Sequence, residues 1–144
     1  MSTQDNITVF RRLVDELIND GNLAAFDEVI GSDFIEHELP PGVPPGREGT
    51  RQLFSMLHGA FPDLRAEIED VVANDDKVVF RMKWRGTQTG SFLDIPRTGK
   101  QVAFDVFDMV RVADGKIAEH WGLMDQLSLM QQLGVIPAPE QATT

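Results

Sequence analysis

The groups able to do chemistry gather in one stretch, Val102 to Gln126. Asp105, Asp108, Glu119, His120 and Asp125 sit there within or at the end of runs that otherwise read as buried. A carboxylate beside an imidazole on an apolar wall is the equipment of general acid–base catalysis. Desolvation raises the carboxylate's proton affinity and a charged imidazole lowers it, which can place a base near neutral pH. Asp108 and His120 are the pair of interest, and His37 in an earlier short strand could complete the set. Asp125 reads more simply as a helix cap, and Glu119 and Trp121 as residues facing away from the pocket.

What decides whether Asp108 meets His120 is the hairpin between them, which turns at Asp114-Gly115. A two-residue loop sets Asp108 opposite Trp121. A three-residue loop, Ala113-Asp114-Gly115, sets Asp108 opposite His120 and Val106 opposite Gly122. Both loop lengths are common in hairpins, and a slip of one residue turns every side chain to the other face.

The elements that must hold this hairpin follow from periodicity. Ile7, Phe10, Leu13, Val14, Leu17 and Ile18 mark a first helix from Thr3 to Asn19, closed at Gly21. Asn22 is suited to cap a second helix through Ile30, stopped by Gly31. Ser32 to Glu38 reads as a short strand that places Glu36 and His37 on opposite faces. The stretch LPPGVPPGREG is a loop over a pocket mouth or a plain connector. A third helix follows from Arg47 to Ala60, with His58 off its apolar stripe and read as a surface residue. From Leu64 the period is two. Val78, Phe80, Met82 and Trp84 form one face of a strand, and Arg81, Lys83 and Arg85 its outer face. A loop rich in Gly and Thr, residues 86–100, precedes the hairpin, and a helix from Gln126 to Leu133 follows it. The fold class is α+β, with helices on one face of a curved, mostly antiparallel sheet. A single domain occupies residues 1–137, and residues 138–144 form a polar tail.

Composition narrows the function. A formal charge of -10 argues against nucleic acid and anionic membrane partners. The absence of Cys excludes thiol nucleophiles and zinc–thiolate sites and fits a cytoplasmic location, and no signal sequence or membrane-spanning run is present. The absence of Tyr excludes an oxyanion hole built on that residue. The spacing of the histidines favours no metal site. Both faces of the hairpin carry apolar residues, Phe104 and Val106 on one and Ala103, Phe107 and Met109 on the other, which implies a second copy against the outer face.

The segments AFPD (60–63), GTQTGSFLDIPRTGK (86–100), VRVADGKIAEHW (110–121) and LMQQLG (129–134) resemble the SnoaL-like polyketide cyclase family, also called ester cyclases. The resemblance implies a cone-shaped α+β barrel with a deep apolar pocket, assembled as a homodimer or homotetramer through the outer sheet face. It also implies aldol-type ring closure on a small apolar carbonyl compound, without metal or cofactor. Aligned on DGKI, the family's catalytic aspartate falls on Gly122, its neighbouring-strand histidine on Asp108, and a polar residue of the short strand on Glu36 or His37. The resemblance thereby favours the register that pairs Asp108 with His120. Asp108, His120 and His37 are then the expected catalytic set. Glu36, Phe80, Met82, Trp84, Val106 and Gly122 are expected to line the substrate pocket. Either the acid–base role has moved to Asp108, or the domain binds a small molecule without turning it over.

Overall fold

The structure is a computed structural model that describes residues 2–137; the expected tail at 138–144 lies outside the described residues. Five strands form one sheet in the order β1-β5-β4-β3-β2. They are β1 (Ile30–Glu36), β2 (Arg65–Asn74), β3 (Lys77–Thr87), β4 (Gln101–Ala113) and β5 (Lys116–Met124). Every neighbouring pair is antiparallel except β1 and β5, which run parallel. The sheet is curved and open between its edge strands, β1 and β2. Among the described residues no helix is long and apolar enough to cross a membrane.

Helix α1 (Thr3–Arg12) starts in a reciprocal cap. The Ser2 hydroxyl accepts from the Asp5 amide while the Asp5 carboxylate accepts from the Ser2 amide. The expected continuation to Asn19 is present, but Leu13–Asn19 is wound as a π-helix. That keeps Leu13, Val14, Leu17 and Ile18 all buried against the sheet. Gly21 takes the expected left-handed conformation, φ +62°. The second helix is shorter than expected. A 3₁₀ turn at Leu23–Ala25 leads to α2 (Phe26–Val29), and the Asn22 side chain caps neither. The chain then enters β1 at Ile30, so Gly31 lies inside a strand instead of ending a helix.

Helix α3 (Gly46–Ala60) buries Phe54 and Leu57. His58 is no surface residue: its Nε2 donates to the Leu17 carbonyl at 2.8 Å, tying α3 to the π-helical segment. Helix α4 (Gln126–Leu133) begins at Asp125, whose carboxylate accepts from the Ser128 amide, and ends at Gly134 with φ +82°. The Asp125 cap follows the sequence reading. The apolar faces of β3 and β4 pack under α1, where Phe10 stacks on Phe80 at 4.1 Å between ring centroids. Phe80 and Met82 are fully buried there. The outer ends of Arg81, Lys83 and Arg85 pair with Glu69, Asp105 and Glu67 across neighbouring strands.

Candidate active site

The hairpin resolves neither of the two simple registers. Its turn has two residues, Asp114 (φ +52°) and Gly115 (φ +75°), flanked by the pair Ala113–Lys116. Two successive positive φ angles give the turn type whose twist matches the strands, and Asp-Gly is a favoured sequence for it. With no further event Asp108 would face Trp121. The ladder shifts, however, between Arg111 and Val112: Val112 pairs with Ile117 and Arg111 with Glu119. Ala118 is the extra residue of a β-bulge, and the bulge returns every later residue of β5 to the opposite face. Asp108 then sits opposite Gly122, and Val110 opposite His120. Asp108 and His120 are diagonal neighbours on the concave face, joined by Nε2–Oδ1 at 3.0 Å.

The parallel register of β1 adds a third member. Glu36 is the partner of His120 in the β1–β5 ladder, and its Oε1 lies 2.6 Å from His120 Nδ1. The imidazole therefore bridges two carboxylates. The side chains of Glu36, Asp108 and His120 are only 4%, 11% and 19% exposed. Burial alone would disfavour a charged imidazole. The hydrogen bonds to Asp108 and Glu36 outweigh it and push the His120 pKa up to about 10, so the ring is a cation at neutral pH. With both ring nitrogens engaged, His120 offers no lone pair to a metal. Among the described residues no group of three or more carboxylate or imidazole side chains has metal-binding geometry.

Gly122 is the floor under this pair. A Cβ at that position would lie 2.4 Å from Asp108 Oδ1 and 2.8 Å from His120 Cε1. Asp108 and His120 thus occupy the space that a side chain at 122 would need. The acidic group stands one strand away from the position at which the family resemblance placed it.

The cavity above the three residues has a volume of about 480 Å³. Phe10, Leu13, Phe34, Phe54, Trp84 and Val106 supply apolar wall. Leu39, Pro40 and Pro41 border it from the proline-rich segment, which makes that stretch part of the pocket instead of a plain connector. Phe92 and Leu93 border it from the 86–100 loop. Phe92 and Ile95 exchange backbone hydrogen bonds of 3.0 and 2.8 Å around a tight turn, with Leu93 (φ +47°) and Asp94 (φ +65°) both left-handed. The buried Gln88 side chain holds that loop closed, donating to the carbonyls of Ile95 and Pro96 and accepting from the Thr98 hydroxyl. Among the described residues lining the cavity none is Lys or Arg.

Trp84, Val106, Glu36 and Gly122 line the cavity as expected. Phe80 and Met82 do not: both are fully buried, and Phe80 lies beneath α1 against Phe10. His37 borders the rim, but its imidazole is not joined to Asp108 or His120. Its Nε2 meets Glu119 Oε2 at 2.7 Å, and its ring stacks on Trp121 at 4.9 Å and 9°. Glu36 takes the inward position that the sequence left open between the two. The signal for that choice is the parallel β1–β5 register, which no local pattern encodes.

The same fold and arrangement of elements recur among known proteins. The family model described as SnoaL-like polyketide cyclase matches residues 8–133. The chain is 29% identical over 138 residues to aklanonic acid methyl ester cyclase DauD of Streptomyces sp. (strain C5), covering 89% of this chain and 84% of that protein. It is 29% identical over 145 residues to the cyclase of the same description, DnrD, from Streptomyces peucetius, covering 97% of each. The structure of TsrD from Streptomyces laurentii superposes with a TM-score of 0.85 at 28% identity, over 94% of this chain and 99% of that one.

Proposed function

The chain belongs to the SnoaL-like polyketide cyclase family, and from that premise we propose that it closes a ring in a neutral polyketide ester by intramolecular aldol addition, with Asp108 as the base. The observation that carries this reading is the Asp108–His120–Glu36 chain set into an otherwise apolar cavity. Asp108 removes a proton from carbon next to a carbonyl. The resulting enolate adds to a second carbonyl of the same molecule, and the new alkoxide is protonated. The product is an isomer of the substrate. A base held within reach of the acidic carbon contributes about 10²–10⁴-fold to such a step. His120 holds the Asp108 carboxylate in place from the side and keeps its negative charge compensated.

The electrostatics favour an ester over a free acid. Three carboxylates, Glu36, Glu38 and Asp108, border the cavity against one imidazolium. An anionic ligand would meet like charge in a low-dielectric space. The relatives DauD and DnrD are described as acting on aklanonic acid methyl ester, which is such a neutral compound. The apolar walls supply affinity without chemistry of their own, and ring closure there needs no metal or cofactor.

Incubation of the purified protein with aklanonic acid methyl ester tests the reading. A product of unchanged mass and new retention time is expected. Tight binding of the ester with no conversion would instead identify a binding domain without turnover.

We also propose that a second copy covers the outer face of the sheet, giving a homodimer or homotetramer. Ile35, Phe107 and Leu123 stand there 47%, 51% and 76% exposed. Lys83–Asp105 and Arg85–Glu67 pairs beside them offer both signs of charge to a symmetric partner. Light scattering of the wild-type protein and of Phe107→Glu tests this. The substitution is expected to shift the mass to that of one chain, and a wild-type protein already of single-chain mass would contradict it.

A further inference from the structure

Ring closure by aldol addition takes one proton from carbon and delivers one to oxygen. Asp108 accounts for the first. The second needs a donor facing the cavity a short distance away, and the arrangement around His120 supplies one. In a Ser–His–Asp triad the carboxylate behind the imidazole is removed from the substrate and acts only on the ring. Here both carboxylates, Asp108 on Nε2 and Glu36 on Nδ1, belong to the cavity wall. They are separated by one imidazole ring and two hydrogen bonds. The chain is therefore open to substrate at both ends.

We propose that Glu36 is the acid of the reaction: it takes the Nδ1 proton of the His120 imidazolium and hands it to the alkoxide oxygen as the ring closes. This assignment rests on the aldol reading above and gives Glu36 a catalytic role.

The balance is complete. A C–H bond breaks at the acidic carbon and its proton goes to Asp108. A C–C bond forms, and the carbonyl π pair becomes the lone pair that receives the proton passed by Glu36. The three residues begin as carboxylate, imidazolium and carboxylate, with a summed charge of -1. They end as carboxylic acid, neutral imidazole and carboxylate, again -1. Loss of a proton from Asp108 and gain of one at Nδ1, both by exchange with water at the mouth, restore the starting state. Nothing is oxidised or reduced.

The order of events is built into the hydrogen bonds. The bond from Asp108 is one of the two that hold the imidazole protonated against burial. Once Asp108 has been neutralised by the substrate proton, it no longer stabilises the cation next to it. The imidazolium becomes a stronger acid at the moment an alkoxide needs a proton. Base and acid are coupled through one ring, so the donor is released only after the base has acted.

Aklanonic acid methyl ester in D₂O is the probe, with ring closure and deuterium wash-in at the acidic carbon above the protein-free rate measured together. Asp108→Asn is expected to lose both. Glu36→Gln is expected to retain wash-in within a few fold while ring closure falls roughly 10²-fold, the size of one general acid. Parallel loss of both in Glu36→Gln, or ring closure at the wild-type rate, overturns the assignment while leaving the aldol reading intact. A wild-type protein that shows neither wash-in nor closure removes the aldol reading and the assignment with it. Should Glu36→Gln fail to fold, Glu36→Asp decides, because it keeps the buried charge and shortens its reach. Wash-in within a few fold of wild type with ring closure clearly slowed is expected. Parallel loss of both, or ring closure at the wild-type rate, contradicts the relay.

Discussion

Two Glu–His pairs cross the seam between β1 and β5, one on each face of the sheet. On the inner face Glu36 at the end of β1 meets His120 of β5 at 2.6 Å; on the outer face His37, the residue after β1, meets Glu119 of β5 at 2.7 Å. The residue types are the same and the sides of the seam that contribute them are exchanged. What differs is the surroundings. The inner imidazole carries a second carboxylate, Asp108, and is buried under an apolar cavity. The outer imidazole is 38% exposed and rests on Trp121, and its glutamate also receives Arg111 at 3.1 Å. The inner ring is driven to about 10. In the outer pair the Glu119 carboxyl is held below its usual range, first by the hydrogen bond from His37 and then by Arg111. Pairing alone does not make the two alike: the inner pair has a second carboxylate and an apolar surround.

That contrast can be broken at either face. The largest effect is expected from Asp108→Asn, which removes the second acid and lowers ring-closing kcat by about 10²–10⁴-fold. His120→Gln comes next. It leaves Glu36 and Asp108 as buried carboxylates with no cation between them, and thermal unfolding should show a loss of about 3–5 kcal/mol. The loss should depend on pH in a defined direction. A raised pKa means that the folded state holds the proton more tightly than the unfolded chain does. The His120 contribution is then fully present below about 6.5 and fades as pH rises through about 10. Melting curves of wild type and His120→Gln should therefore lie far apart at pH 6 and converge toward pH 10. A gap that widens with pH would contradict the assignment.

Gly122→Ala should cost about 1–3 kcal/mol and reduce activity, because its Cβ must push Asp108 or His120 aside. An unchanged melting temperature would show that the pair is looser than the distances state. The smallest effect is expected at the outer face. His37→Gln removes a half-exposed pair worth about 0–1 kcal/mol and should leave kcat unchanged. A large loss of activity there would return His37 to the catalytic set.

Much of this arrangement is legible in the chain. The period-two runs of β3 and β4, the Asp125 cap, the left-handed Gly134 and the Asp-Gly turn are all local features, and local chemistry announces them. The meeting of Asp108 and His120 is a different matter. Turn chemistry leaves loops of two and three residues both open, and the two-residue turn at Asp114-Gly115 would by itself separate the pair. The bulge at Ala118 reverses that outcome, and an alanine in a strand carries no mark of being the extra residue. The choice of Glu36 over His37 depends on a parallel pairing between segments more than eighty positions apart, and alternation along β1 is silent about it. Phe80 and Met82 show a third limit. Periodicity assigns a face, but it does not divide that face between the part covered by α1 and the part left open as cavity.

The central claim is that His120 is a buried cation between two carboxylates. The chain has only three histidines, so their imidazole ¹⁵N resonances can be assigned by single substitutions and followed with pH. Both His120 nitrogens are expected to carry protons at pH 7.5 and to lose one only as pH approaches about 10. A His120 ring that is neutral at pH 7.5, with one nitrogen unprotonated and a midpoint near 6.5, would contradict the account.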